Sequence, residues 1–79
     1  MGDIKFEIKK NIAVLSTSKS GWTKEINLMS WNGREDKYDI REWDPEHEKC
    51  GKGIGLTKEE AVSLVKSLNK ELPEDILNL

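Results

Sequence analysis

Residues 37–57 read KYDIREWDPEHEKCGKGIGLT, and the fold turns on how this stretch divides. Over residues 37–43 the pattern has period two: Tyr38, Ile40 and Glu42 share one side of an extended chain, and Lys37, Asp39, Arg41 and Trp43 share the other. Asp44-Pro45 ends that strand, because proline removes a ladder donor. Gly51, Gly53 and Gly55 read as a connector, where glycine supplies positive φ and close backbone approach. The connector opens at Thr57 onto a helix, since Thr57 and Glu60 have capping-box spacing and Glu59 and Glu60 suit the positive helix end. Ala61, Val62, Val65, Leu68 and Leu72 recur at helical spacing, Leu64 broadens the stripe, and Pro73 stops it, which predicts a helix over about 57–72.

Upstream, IKFEI (4–8) alternates apolar and charged residues, KKN reads as a turn, and IAVLS (12–16) is apolar enough for a strand buried on both faces. WTKEINLMSW (22–31) is a long extended run, and Asn32-Gly33 after it is a hairpin signal, because both residues tolerate positive φ. Neither parity of residues 22–31 is uniformly apolar, which predicts a bulge or bend within that strand. The expected fold class is α+β, in the order β-β-β-β-α: a curved four-stranded antiparallel sheet with one C-terminal amphipathic helix. It forms a single domain over 1–79, with a short apolar tail at 73–79.

A chain of 79 residues buries only about 60–65% of the surface that its unfolded form exposes, so its own core is marginal. Cys50 is the sole cysteine, so no intrachain disulfide compensates, and a homodimer is the expected source of further buried area. Thirteen basic residues against fifteen acidic give a net charge of −2, and no segment is strongly basic. A surface for a polyanion must therefore arise from sorting charges onto one face. No apolar run reaches the roughly 18–20 residues of a membrane span and no signal-peptide core is visible, so a soluble, cytoplasmic protein without membrane partners is expected. The Met-Gly start lacks the Ser or Thr of a myristoylation signal, since Phe6 stands there.

Residues 37–57 carry residue types for a phosphate loop, a metal site, a nucleophile or a nucleic-acid surface. The glycines fit neither the P-loop layout nor GxGxxG, which leaves Lys52 as a point charge that could meet a phosphate. His47 and Cys50 lack the second ligand pair of a structural zinc site, and read as a solvated loop histidine and an incidental thiol. Nor does either have an evident orienting partner for nucleophilic catalysis. The expectation is thus no enzyme activity, no metal and no cofactor. What remains is tryptophan beside Lys and Arg on a strand face. Unpaired bases stack on indoles, each worth about 1–3 kcal/mol, while cations follow the phosphates. The bland alternative is that the three tryptophans are core residues and the charges a solvated face.

Asp39-Ile40-Arg41-Glu42 followed by Trp43, a proline-containing acidic loop, Gly51-Lys52-Gly53-Ile54, Leu56 and an amphipathic helix resembles the positive cofactor four (PC4-like) family of transcriptional coactivators. The long run GWTKEINLMSWN is similar to its bacterial YdbC-type members, and the likeness covers roughly residues 4–72. The resemblance implies a β-β-β-β-α domain that dimerises through its helix and binds single-stranded DNA in a groove of the paired sheets. Carried onto this chain, it implies Arg41 and its aromatic neighbour Trp43 on the DNA-facing strand, Lys52 as the connector's cation, and Trp31 as a stacking aromatic before the hairpin. Trp22, Lys24 and Lys37 extend the set. Asp44 departs from the pattern, because eukaryotic members carry a second aromatic there. On this reading Trp22, Trp31 and Trp43 stack on bases and Lys24, Lys37, Arg41 and Lys52 neutralise phosphates. The rival readings are RNA as the ligand, or a dimeric protein-interaction domain with exposed tryptophans.

Overall fold

The computed structural model describes residues 5–73. Ile4 of the first expected strand, the Met-Gly start and the apolar tail at 74–79 lie outside the described residues. The elements are β1 (Phe6–Thr17), β2 (Thr23–Trp31), β3 (Lys37–Trp43), β4 (Cys50–Leu56) and α1 (Lys58–Glu71). The strands form an antiparallel meander in the order β1-β2-β3-β4, and α1 lies against β3 and β4. The expected α+β order β-β-β-β-α is therefore the observed one, though β1 merges two expected strands and β4 comes from the segment expected as a connector.

The first correction concerns the N-terminal half. KKN makes no turn: β1 runs through it as one strand of 12 residues, where two short strands were expected. Its partner β2 has 9 residues. The difference is taken up by three register shifts, between Ile8 and Lys10, Asn11 and Ala13, and Val14 and Ser16. Each leaves one β1 residue (Lys9, Ile12 or Leu15) without a partner on β2, which is the definition of a bulge. These insertions break the period-two pattern and make one strand look like two. The bulge expected inside residues 22–31 is in β1 instead; β2 pairs with β3 without a shift.

The second correction is the glycine connector. Residues 50–56 are strand β4, and among the described residues the only glycines at positive φ are Gly21 and Gly33. Glycine disfavours strands, so local propensity argued for a loop, but pairing with β3 overrides it. Elsewhere local chemistry prevails. Asn32 and Gly33 both take positive φ, 53° and 74°, and Arg34 N–H closes the turn on the Trp31 carbonyl at 2.9 Å. Thr57 and Glu60 form the reciprocal capping box, at 2.8 and 3.1 Å.

The two faces of the sheet are inverted relative to a common sheet. Thr23, Glu25, Asn27, Met29 and Trp31 of β2 share one face with Lys37, Asp39, Arg41 and Trp43 of β3. On it Glu25, Asn27, Asp39, Met29 and Trp43 are all buried. No second layer covers this face among the described residues, so the sheet must curl around it. The other face carries Ile26, Leu28, Tyr38, Ile40, Ile54 and Leu56, none of them buried, with α1 beside it. The helix itself buries no residue, and Val62, Val65 and Leu68 are 46, 57 and 45% exposed. The radius of gyration is 14.2 Å, against about 12 Å for a compact domain of this length.

Candidate nucleic-acid interface

The polar face is built outward from two saturated carboxylates. Glu25, 2% exposed, accepts from Asn11 Nδ2 at 3.0 Å, from Asn27 Nδ2 at 3.2 Å and from the Thr23 hydroxyl, and lies 2.8 Å from His47 Nε2. Asn11 also donates to Asn27 Oδ1 at 2.6 Å. Asp39, fully buried, is clamped by Arg41: Nε–H to Oδ1 at 2.6 Å and NH2 to Oδ2 at 2.8 Å. Such bidentate pairing makes a buried carboxylate tolerable, whereas an unpaired one costs several kcal/mol.

Aromatic rings close the face. Phe6 bridges Trp31 and Trp43, with centroids 5.7 and 5.1 Å away, and the Arg41 guanidinium carbon sits 4.6 Å from the Trp31 centroid. The loop after β3 folds back over Trp43. Asp44 Oδ1 accepts from the backbone N–H groups of Glu48 and Lys49 at 2.7 and 2.9 Å, and His47 takes φ 57°. The His47 ring stacks on Trp43 at 5.7 Å and 23°. His47 is therefore a latch between β2 and β3, not the solvated loop histidine expected. Sequence spacing could not reveal this, since Glu25 lies 22 residues away.

The seven expected site residues divide. Trp31, Lys37, Arg41 and Lys52 come together: two hollows meet at Trp31 and Arg41, one bordered by Arg34, Lys37 and Gly55, the other by Phe6, Gly51 and Lys52. Lys52 reaches this face through a bulge, because two β4 residues lie between the partners of Arg41 and Trp43. The others are not gathered there. Trp43 is 0% exposed, so it offers no ring face to a base, and its role is packing. A buried Trp replaced by Ala typically costs about 3–5 kcal/mol. Lys24 points to the opposite face, paired across the ladder with Ser16 and Glu42. Trp22 precedes β2, at the opposite end of that strand from Trp31, and borders neither hollow. Arg34 and Phe6 were missed by sequence reasoning, because a turn residue and a β1 residue gave no signal of facing Trp31.

Two comparisons bear on this chain. Residues 18–67 match the family described as Transcriptional Coactivator p15 (PC4), a span running from the β1–β2 loop into α1. A protein of Treponema pallidum (strain Nichols) that is described as uncharacterized is 49% identical over 67 residues, 85% of this chain and 79% of its own length.

Glu25 and Asp44 also set the acid response of this region. Burial alone would push the Glu25 carboxyl up. Hydrogen bonds from Thr23, His47 and Asn27, with the nearby His47, outweigh it and hold the group below the usual carboxylate range. Asp44 is held down chiefly by the Lys49 backbone N–H. A depressed folded-state value stabilises fully above the unfolded carboxylate range and is lost as pH falls through the folded value. Glu25→Gln is therefore expected to be less stable than the parent at pH 7 and to lose less on acidification between about pH 5 and pH 3. Urea midpoints at each pH check this; identical declines for both proteins would remove Glu25 as the source.

Proposed function

We propose, since the chain belongs to the Transcriptional Coactivator p15 (PC4) family, that it is a homodimeric single-stranded DNA-binding protein with little sequence specificity and no catalytic role. The observation that carries the reading is the half-buried Trp31 indole, set between two hollows and flanked by Lys37, Arg41 and Lys52. Stacking on an indole tolerates any base, because every base has a π-face. Lys37 and Lys52 form no ion pair among the described residues and supply charge for phosphates. Arg34, in the adjoining hollow, joins them. Glu35 and Glu48 border the same hollows, so modest affinity with steep salt dependence is expected. The cellular setting is an accessory role in transcription or DNA maintenance, in the cytoplasm; RNA is the alternative ligand.

Titration with short oligo-dT is expected to give saturable quenching of tryptophan fluorescence that weakens as salt rises. Trp31→Ala is expected to lose at least ~1 kcal/mol of binding with its far-UV circular dichroism unchanged. Absence of quenching at low salt would favour the rival reading, a protein-interaction surface.

Dimerisation through α1 is supported by the open apolar stripe, where Val62, Leu64, Val65, Leu68 and Leu72 are each at least 37% exposed. A second copy would cover this stripe and the half-exposed face beside it. Sedimentation is expected to give twice the 9.0 kDa chain mass, and Val65→Asp to shift it toward the monomer. A monomeric parent at micromolar concentration would remove the dimer from this reading.

A further inference from the structure

The Arg41 side chain is 18% exposed, and its charge has a fixed partner. Nε–H and NH2 are both committed to Asp39, and NH1 donates to the Gly51 carbonyl at 3.3 Å. Hydrogen bonding to Asp39 drives the Arg41 pKa still higher, so the guanidinium is a permanent cation. Gly53, its partner across the ladder, leaves room for this arrangement. A Cβ at Gly53 would lie 2.3 Å from Arg41 Cβ, 2.5 Å from the Ile40 carbonyl oxygen and 2.9 Å from Arg41 Nε. Its φ is not positive, so glycine is required there for space. What the guanidinium does present is its position against Trp31, 4.6 Å from the ring centroid.

We infer that Arg41 is a positioning residue. Held by Asp39 and the Gly51 carbonyl over the bare backbone of Gly53, it fixes the Trp31 indole for stacking and contributes no phosphate contact. This rests on the proposed binding reading and replaces the expectation that Arg41 neutralises a phosphate. Counterion release separates the two roles. Each phosphate contact to a single strand adds about 0.7 to the slope of log K against log salt, and a stacking support adds nothing.

The test is fluorescence anisotropy of labelled oligo-dT over a salt series. Removing Arg41 alone would strand the buried Asp39 carboxylate, so the paired variant Asp39→Asn/Arg41→Ala is measured, with Arg41→Lys, Lys52→Ala and Trp31→Ala. The pair is expected to weaken binding about five- to tenfold at every salt concentration with an unchanged slope. Arg41→Lys is expected not to restore affinity, although it keeps the charge, while Lys52→Ala lowers the slope by about 0.7. A slope loss of that size in the paired variant, or full affinity in Arg41→Lys, overturns the positioning role while leaving DNA binding in place. Unchanged affinity in Trp31→Ala overturns the binding reading itself, and with it any role for Arg41 in binding. A measurement on the free protein does not depend on any Arg41 variant folding. The Arg41 Nε–H resonance is expected to exchange slowly with water and to shift in Trp31→Ala; fast exchange and no shift would overturn the held geometry.

Discussion

β1 has 12 residues and the strand it pairs with has 9, and the remaining geometry follows from that mismatch. Lys9, Ile12 and Leu15 are spaced three apart along one edge strand, and each insertion adds local twist and bend. Burial of Glu25, Asn27 and Asp39 without a covering layer requires that curl. The same curl brings Phe6, which pairs with Trp31 across the ladder, against Trp43 as well, a contact that a flat sheet would not make. A flat sheet would also hydrate both carboxylates and leave the His47 latch without its partner.

The distribution of polarity then inverts. Polar groups fill the enclosed face and are hydrogen-bonded there, while aliphatic residues occupy the face beside the helix and stay half open. Met29 and Trp43 are the only buried apolar residues among those described. Two such side chains supply only a few kcal/mol against the ordering of a whole domain. The open apolar face is a further reserve of burial, which the proposed second copy would cover. The proposed binding site is on the opposite face, so dimerisation and binding would not compete for surface. On that face the bare glycines of β4 give Arg41 a place to lie, and a bulge brings Lys52 round to the same side.

Much of this was legible in residues 37–57 and their neighbours. The strand at 37–43, the Asn32-Gly33 turn and the Thr57–Glu60 capping box are local, and each formed as its chemistry dictates. Trp31, Lys37, Arg41 and Lys52 were identifiable and do meet. The failures are non-local. Glycine in β4 is a response to Arg41 on another strand, so local propensity misread it as a connector. The β1 bulges hid one strand as two. Trp43 has the same parity as Lys37 and Arg41, and only the folded-back loop shows that it is covered while they border hollows. Lys24 was assigned to the ligand side from the family resemblance and face parity, and the register puts it on the other.

Binding on the polar face is tested most directly by mapping amide and indole resonances during an oligo-dT titration. The expected result is that the Trp31 indole N–H and the amides of Lys37, Gly51, Lys52, Gly53 and Gly55 shift together and saturably. The exposed positions of α1, Val62, Val65 and Leu68, should stay still. Shifts confined to α1 and the apolar face, or none at low salt, would contradict it.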